Sequence, residues 1–193
     1  MANHIPDLPF WEGFSVTSLD VVDARLHVRL ETDPERPLLC SHCGASAPTI
    51  HETVWRTVRD LPMAGLPVYL NVAVNRLRCA TCGRCCMQRV DWLDRHARVS
   101  RRLAEFVAHW SEKLPIAHVC ELAGLHWGTV HQIHRQDLEH KVAALPPPQP
   151  TRLVMDEFAL FKGHRYATVV LDADTRRVIW VCEGRDCAPG RGV

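Results

Sequence analysis

Four of the nine cysteines in this chain stand in two C-x-x-C pairs, Cys40-Ser-His-Cys43 and Cys79-Ala-Thr-Cys82. A two-residue spacing lets both sulfurs of a pair point at one ion, and four thiolates suit a tetrahedral Zn2+. Residues 44–78 separate the pairs, more than a usual ribbon spacing, and a β-hairpin inserted between two knuckles would accommodate them. Four protein ligands leave no open coordination position, so the metal is read as structural. Other ligand sets stay open: Cys82-Gly-Arg-Cys85 is also a C-x-x-C, Cys85 or Cys86 can replace a ligand, and His42 and His51 are substitutes. Cys79 and Cys82 are preferred because a strand pattern leads into them. Cys120, on the apolar side of a helix, reads as a small buried hydrophobe.

Arginines and carboxylates carry the other chemistry. Arg76, Arg78, Arg84, Arg89, Arg95, Arg98, Arg101 and Arg102 face only Asp91 and Asp94 within their window, although the formal net charge of the chain is +1. A basic segment of this kind favours a polyanion, because neutralised phosphates release counterions. Asp156 and Glu157 close an apolar run; alternation along a strand points them to opposite faces, so they do not share one ion, and Asp156 is preferred. An Asp at a strand end is ordinarily a solvated or capping residue, whereas Asp172 and Asp174 are explained by turn chemistry.

These residues need elements to hold them. Ala24, Leu26, Val28 and Leu30 alternate as a strand does before Pro34 and Pro37, and Val68, Leu70, Val72 and Val74 alternate on the way to the second cysteine pair. From Ser100, an N-cap by residue type, Leu103, Phe106, Val107, Trp110 and Leu114 recur at helical spacing. Two further helices are expected over 116–123 and 129–142, the first packing through Val119 and Leu122, with the glycines of GLHWG in the turn between. In this helix-turn-helix the second helix would offer Thr129, His131, Gln132, His134 and Arg135 to a major groove, with Arg98, Arg101 and Arg102 nearby for phosphates. LPPPQP at 145–150 cannot continue a helix and reads as a semi-rigid linker. Beyond it, β-branched runs at 152–155, 166–171 and 178–182 read as an antiparallel meander, with the first strand ending in Asp156-Glu157.

CSHCG, the stretch HETVWRTVRDLPMAGLPVYLNVAVNRLRCATCG and MDEFALFKGHRYATVVLDADTRRVIWVCEGR together resemble the insertion-sequence transposases that carry an N-terminal zinc-binding domain, a helix-turn-helix and an Asp-Asp-Glu catalytic core. The similarity covers most of residues 38–185. It implies an α+β multidomain fold: a β-rich zinc-ribbon-like domain over 1–95, a helix-turn-helix domain over 96–143, the linker at 144–151, and the first three antiparallel strands of a ribonuclease-H-like domain over 152–193. It implies zinc on Cys40, Cys43, Cys79 and Cys82, helices on double-stranded DNA at terminal inverted repeats, and Asp156 as the first catalytic carboxylate. In the family, Mg2+ held by two aspartates and a glutamate drives hydrolytic nicking and then attack of a 3′-hydroxyl on target DNA. A homodimer, or a heterodimer with an intact transposase, is the further partner it allows.

After Cys182-Glu183-Gly184-Arg185 the helix, fourth strand, second Asp and late Glu that the resemblance calls for do not follow, and DCAPGRGV lacks apolar periodicity. The expectation is a chain truncated after the first catalytic strands, which binds element ends without transferring strands. The alternative is a stand-alone zinc and helix-turn-helix transcriptional regulator. No basic and apolar leader and no apolar run of about 18 residues is present, which points to a cytoplasmic protein with no membrane partner.

Overall fold

The computed structural model of the chain describes residues 10–161 and 165–184, and within them an α+β architecture of two sheets and three helices. The chain divides into two compact units between His140 and Lys141, just ahead of the proline-rich run.

In the first unit, β1 (Phe14–Val22), β2 (Arg25–Thr32), β3 (Ile50–Met63) and β4 (Leu66–Arg78) form a sheet in the order β1-β2-β4-β3, and short β5 (Cys85–Met87) pairs with the end of β4. β1 and β2 turn through Asp23 and Ala24, both at positive φ, and β3 and β4 through Ala64 and Gly65, likewise both positive. Two central residues of positive φ match the twist of the flanking strands, which is why short hairpins use them. Ala24, expected within the strand, therefore lies in the turn. The alternation of β2 and β4 is fulfilled: Leu26, Val28, Leu30, Val68, Leu70, Val72 and Val74 are buried on one face together with Val58 of β3, and Trp11, Phe14 and Leu93 join them. Burying each such Val or Leu contributes about 1.5–3 kcal/mol. The parallel pairing of β2 with β4, Leu26 opposite Val68 and Leu30 opposite Val72, is long-range and has no local sequence signal.

The helices are α1 (Arg101–Ser111), α2 (Ile116–Ala123) and α3 (Trp127–Ala143). Ser100 caps α1 as expected, its hydroxyl accepting from the Leu103 N–H at 3.2 Å. α3 starts earlier than expected because the His126 ring nitrogen accepts from the Gly128 N–H at 3.2 Å and satisfies an otherwise orphan donor. Leu103, Val107, Val119, Ala123 and Val130 form the helical core, with Phe106, Trp110, Leu114 and Cys120 against it. Here one expectation is corrected: Leu122 is half exposed and Ala123 is buried, since the face centred between Val119 and its i+4 neighbour leaves Leu122 at its edge. Residues 1–95 and 96–143, expected as separate domains, do not separate up to His140. Leu61 of β3 and Val99 pack into the helical core, and Arg59 pairs with Val99 in a parallel bridge.

The second unit holds β6 (Leu153–Phe161), β7 (Arg165–Asp172) and β8 (Val178–Glu183), antiparallel in that order. β6 does not end at Asp156-Glu157 but runs on to Phe161, because the ladder with β7 continues past Asp156 opposite Val169 and Glu157 opposite Thr168. Residues 186–193, whose lack of periodicity suggested truncation, lie outside the described residues. No helix among the described residues is long and apolar enough to cross a membrane.

Candidate metal centre and nucleic-acid surface

Both cysteine knuckles are built the same way. In the first, the Cys40 N–H donates to the Ala45 carbonyl and the Gly44 N–H to that of Cys40, each at 2.9 Å; in the second, Cys79 donates to Arg84 and Gly83 to Cys79, also at 2.9 Å. The glycine after each second cysteine has a positive φ, +74° at Gly44 and +67° at Gly83, which closes a turn that a Cβ would strain. The β3–β4 hairpin brings the two turns together, fulfilling the expected insertion between knuckles.

The sulfurs of Cys40, Cys43, Cys79 and Cys82 all lie within 4.8 Å of one another. Cys40 and Cys82 are 3.8 Å apart, and Cys43 and Cys79 3.6 Å. A tetrahedron with Zn–S bonds of about 2.3 Å has edges of roughly 3.8 Å, so the donor set fits zinc in identity and in size. Cys40 is lowered to about 6, first by the Cys43 amide, then by Cys86 and the His42 amide. Cys43 is raised to about 12: the Ala45 amide lowers it, but burial and the neighbouring thiols of Cys79, Cys40 and Cys82 prevail. Of the substitutes, Cys86 lies 3.2 Å from Cys40 but outside the group of four, Cys85 and His51 are exposed, and the His42 ring faces Arg84 at 3.5 Å.

A buried carboxylate that sequence reasoning passed over joins the sheet to the helices. Asp60, fully buried, accepts from Trp11 Nε1 (2.8 Å), Ser100 Oγ (2.5 Å), and Arg102 Nε and Nη2 (2.7 and 2.6 Å). Burial pushes its pKa up, yet the hydrogen bonds of Arg102, Ser100 and Trp11 outweigh this and hold it below the ordinary value. Arg102, expected at DNA phosphates, is thus held by Asp60 with its side chain only 24% exposed. Parity along β3 was the available signal: Asp60 shares the inward face of Val58. Next to it, Arg59 turns outward and donates to the Gly124 carbonyl at 2.9 Å, in the turn between α2 and α3.

The basic window is less bare than its sequence suggests. Arg76 pairs with Glu52, Arg89 with Asp91, Arg101 with Asp94 and Arg102 with Asp60. Glu52 and Asp60 come from β3, outside the window. Arg78, Arg95 and Arg98 are exposed and form no ion pair among the described residues.

On α3, His131, Gln132 and Arg135 are exposed and Thr129 is half-buried. His134 turns inward, and its Nδ1 is buried without a hydrogen-bond partner among the described residues. Arg135 lies 3.5 Å from Glu139 one turn on. Trp127, 53% exposed at the head of the helix, stacks on His131 with ring centroids 4.7 Å apart.

In the second sheet, Asp156 is exposed in mid-strand, and its Oδ1 accepts from the Glu157 N–H at 2.8 Å. It belongs to no cluster of three or more potential metal ligands among the described residues. Asp172 and Asp174 do turn chemistry as expected. Asp172 accepts from the Thr175 hydroxyl and the Asp174 N–H, and Asp174 from Arg152 and Thr151.

Three family matches tile the chain in the order of these elements. Residues 36–82 match a family described as the zinc-finger of transposase IS204/IS1001/IS1096/IS1165, residues 88–136 the helix-turn-helix domain of transposase family ISL3, and residues 153–189 a family described as transposase. The chain is 36% identical over 178 residues to the transposase for insertion sequence element IS1001 of Bordetella parapertussis, covering 91% of this chain and 44% of that protein. It is 29% identical over 153 residues to the transposase for insertion sequence element IS1557 of Mycobacterium tuberculosis, covering 77% of this chain and 34% of that protein. The chain therefore spans less than half the length of these relatives. No solved structure matches it significantly.

Proposed function

Because the chain belongs to the ISL3 family of insertion-sequence transposases, we propose that its first unit recognises the terminal inverted repeats of such an element as duplex DNA. The observation that carries this reading is the fixed attachment of the helix-turn-helix to the cysteine-bearing sheet through Asp60, which leaves Gln132 and Arg135 of α3 open to solvent. Exposed Gln and Arg side chains suit adenine and guanine edges in a major groove. Arg95, Arg98 and Arg101 supply cations for phosphates beside it, while Arg102 acts by positioning α1. Cys40, Cys43, Cys79 and Cys82 would hold a structural zinc that joins the two knuckles at the end of β4.

Asp156 is the first carboxylate of the proposed catalytic site. Two-metal phosphoryl transfer on Mg2+ needs several carboxylates, so residues 153–184 alone do not cleave or join DNA, and further ligands have to come from outside the described residues. Pairing of two chains, of this protein or with a longer relative, would bring two element ends together. The match of residues 153–189 to a transposase family favours this reading over a free-standing regulator.

The test is fluorescence anisotropy of the full, zinc-quantified chain with a duplex carrying an ISL3 element end and with a scrambled duplex, over a salt series. We expect one zinc per chain, tighter binding to the element end, affinity that falls with salt, and a loss of about 1–3 kcal/mol of selectivity in Gln132→Ala or Arg135→Ala. Equal binding to both duplexes, or none, would overturn the proposal.

A further inference from the structure

The solvent face of the first sheet, opposite its buried valines and leucines, gathers aromatic and arginine side chains. Strand register lays two rows across it: Asp20, His27, Tyr69 and Arg59, then Ser18, Arg29, Asn71 and Thr57. His27 stacks on Tyr69 with ring centroids 5.5 Å apart and planes 17° from parallel. The guanidinium groups of Arg25 and Arg59 lie 5.5 and 4.6 Å from the same ring. Arg29 lies 4.2 Å from the Trp55 ring, which is 47% exposed in the middle of β3. A hollow of about 330 Å³ between the rows is lined by Ser18, Asp20, His27, Arg29, Trp55 and Asn71.

An exposed Trp55 ring beside the half-buried His27–Tyr69 pair, with guanidinium groups close to both, offers what unpaired bases and their phosphates need. Stacking serves any base, and arginine answers the backbone charge. The acidic side chains of this face, Asp20 and Glu31, are outnumbered by Arg25, Arg29 and Arg59, and Glu31 is paired with Arg29 at 3.1 Å. Duplex DNA has no exposed ring faces to offer these side chains. Arg59 also ties the face to the turn before α3 through the Gly124 carbonyl, so the platform is continuous with the helix-turn-helix.

We propose that the His27, Arg29, Trp55 and Tyr69 face is a stacking platform for single-stranded DNA adjoining the duplex held by α3. Its position beside a duplex rests on the DNA-binding reading above, whereas its chemistry does not. The experiment titrates the full zinc-loaded chain with a labelled oligothymidylate of about 12 nucleotides and, separately, with a mixed-sequence duplex. The expected result is single-strand binding that weakens on the order of tenfold in Trp55→Ala and in Tyr69→Ala, with duplex binding unchanged and Trp55→Phe keeping most of the affinity. Arg29→Ala, which removes no ring from the sheet, should weaken the oligothymidylate alone and replaces either ring variant should that variant lose zinc or melt early. Single-strand binding that is absent at low salt, is unmoved by these variants, or falls together with duplex binding overturns the platform. Wild-type binding to the oligothymidylate without duplex affinity would uphold it while sinking duplex recognition.

Discussion

The sheet of residues 14–87 and the sheet of residues 153–183 both start from strand-forming apolar runs, but only the first closes over its apolar face. In the first, Val28, Leu30, Val58, Leu70 and Val72 are fully buried, and groups distant in sequence converge to lock the layers: four cysteines at one end and Asp60 at the other. In the second, Leu153, Val154, Met155 and Phe158 of β6 are all exposed, and Val170 and Ala167 of the central strand supply what little core there is. Strand-forming runs thus make a sheet, while contacts between distant residues cover it. The second sheet presents Asp156 on an exposed strand.

Metal removal should break this contrast most severely. Structural zinc in small cysteine sites contributes on the order of 10 kcal/mol to folding, so a chelator or the double variant Cys40→Ser with Cys79→Ser should unfold the knuckles. Hydrogen exchange is expected to rise across residues 38–48 and 77–88 and to stay unchanged across 165–172. Equal loosening of both sheets would mean that the two regions do not differ in the way described.

Next in size is Asp60→Asn, which leaves the Arg102 guanidinium without its carboxylate and should cost about 3–5 kcal/mol in chemical denaturation. Asp60 is held below its ordinary value, so its stabilising effect is full above the unfolded carboxylate pKa of about 3.9 and is lost as pH falls through the lower folded value. The gap between wild type and variant should therefore narrow only below about pH 4. A gap unchanged between pH 7 and 2.5 would show that Asp60 stabilises by something other than its charge.

A paired substitution sharpens the comparison further. Leu70→Ala, at a fully buried position, should cost about 2–5 kcal/mol, whereas Met155→Ser, at a 65% exposed one, should stay within about 0.5 kcal/mol. Comparable losses at both would mean that β6 is covered in solution.

Much of this was legible in the residues. Two C-x-x-C pairs, each followed by glycine, announce two like knuckles, and the Ser100 cap and the spacing of Leu103 and Val107 announce α1. What escaped were the interactions between distant segments. The parallel pairing of β2 with β4 leaves no mark in either strand, and Asp60 is distinguished from any surface carboxylate only by sharing the inward face of Val58. The arginine window misled for the same reason, since Glu52 and Asp60, which neutralise two of its members, lie on another strand. At Asp156 the carboxylate was visible and its place in mid-strand was not, because the ladder with β7, which runs on to Phe161 opposite Arg165, decides where β6 stops.

The smallest effect concerns the turn that joins α2 to α3, where the sequence offers two glycines as if they were equivalent. Gly124 sits at φ +59° and ends α2 in the left-handed conformation, and an added Cβ would also meet the Arg59 guanidinium at 3.4 Å. Gly128 lies in the first turn of α3 with ordinary helical backbone, and its Cβ would meet nothing closer than the His126 ring at 3.5 Å. Gly124→Ala should therefore destabilise by about 1–2 kcal/mol, the cost of left-handed backbone for a residue with a Cβ. Gly128→Ala should stabilise by about 0.5–1 kcal/mol, since it removes conformational freedom from the unfolded chain and keeps the backbone N–H donating to the His126 ring. Thermal melts of the two variants should then move in opposite directions. A common direction would mean that the turn does not depend on left-handed backbone at Gly124.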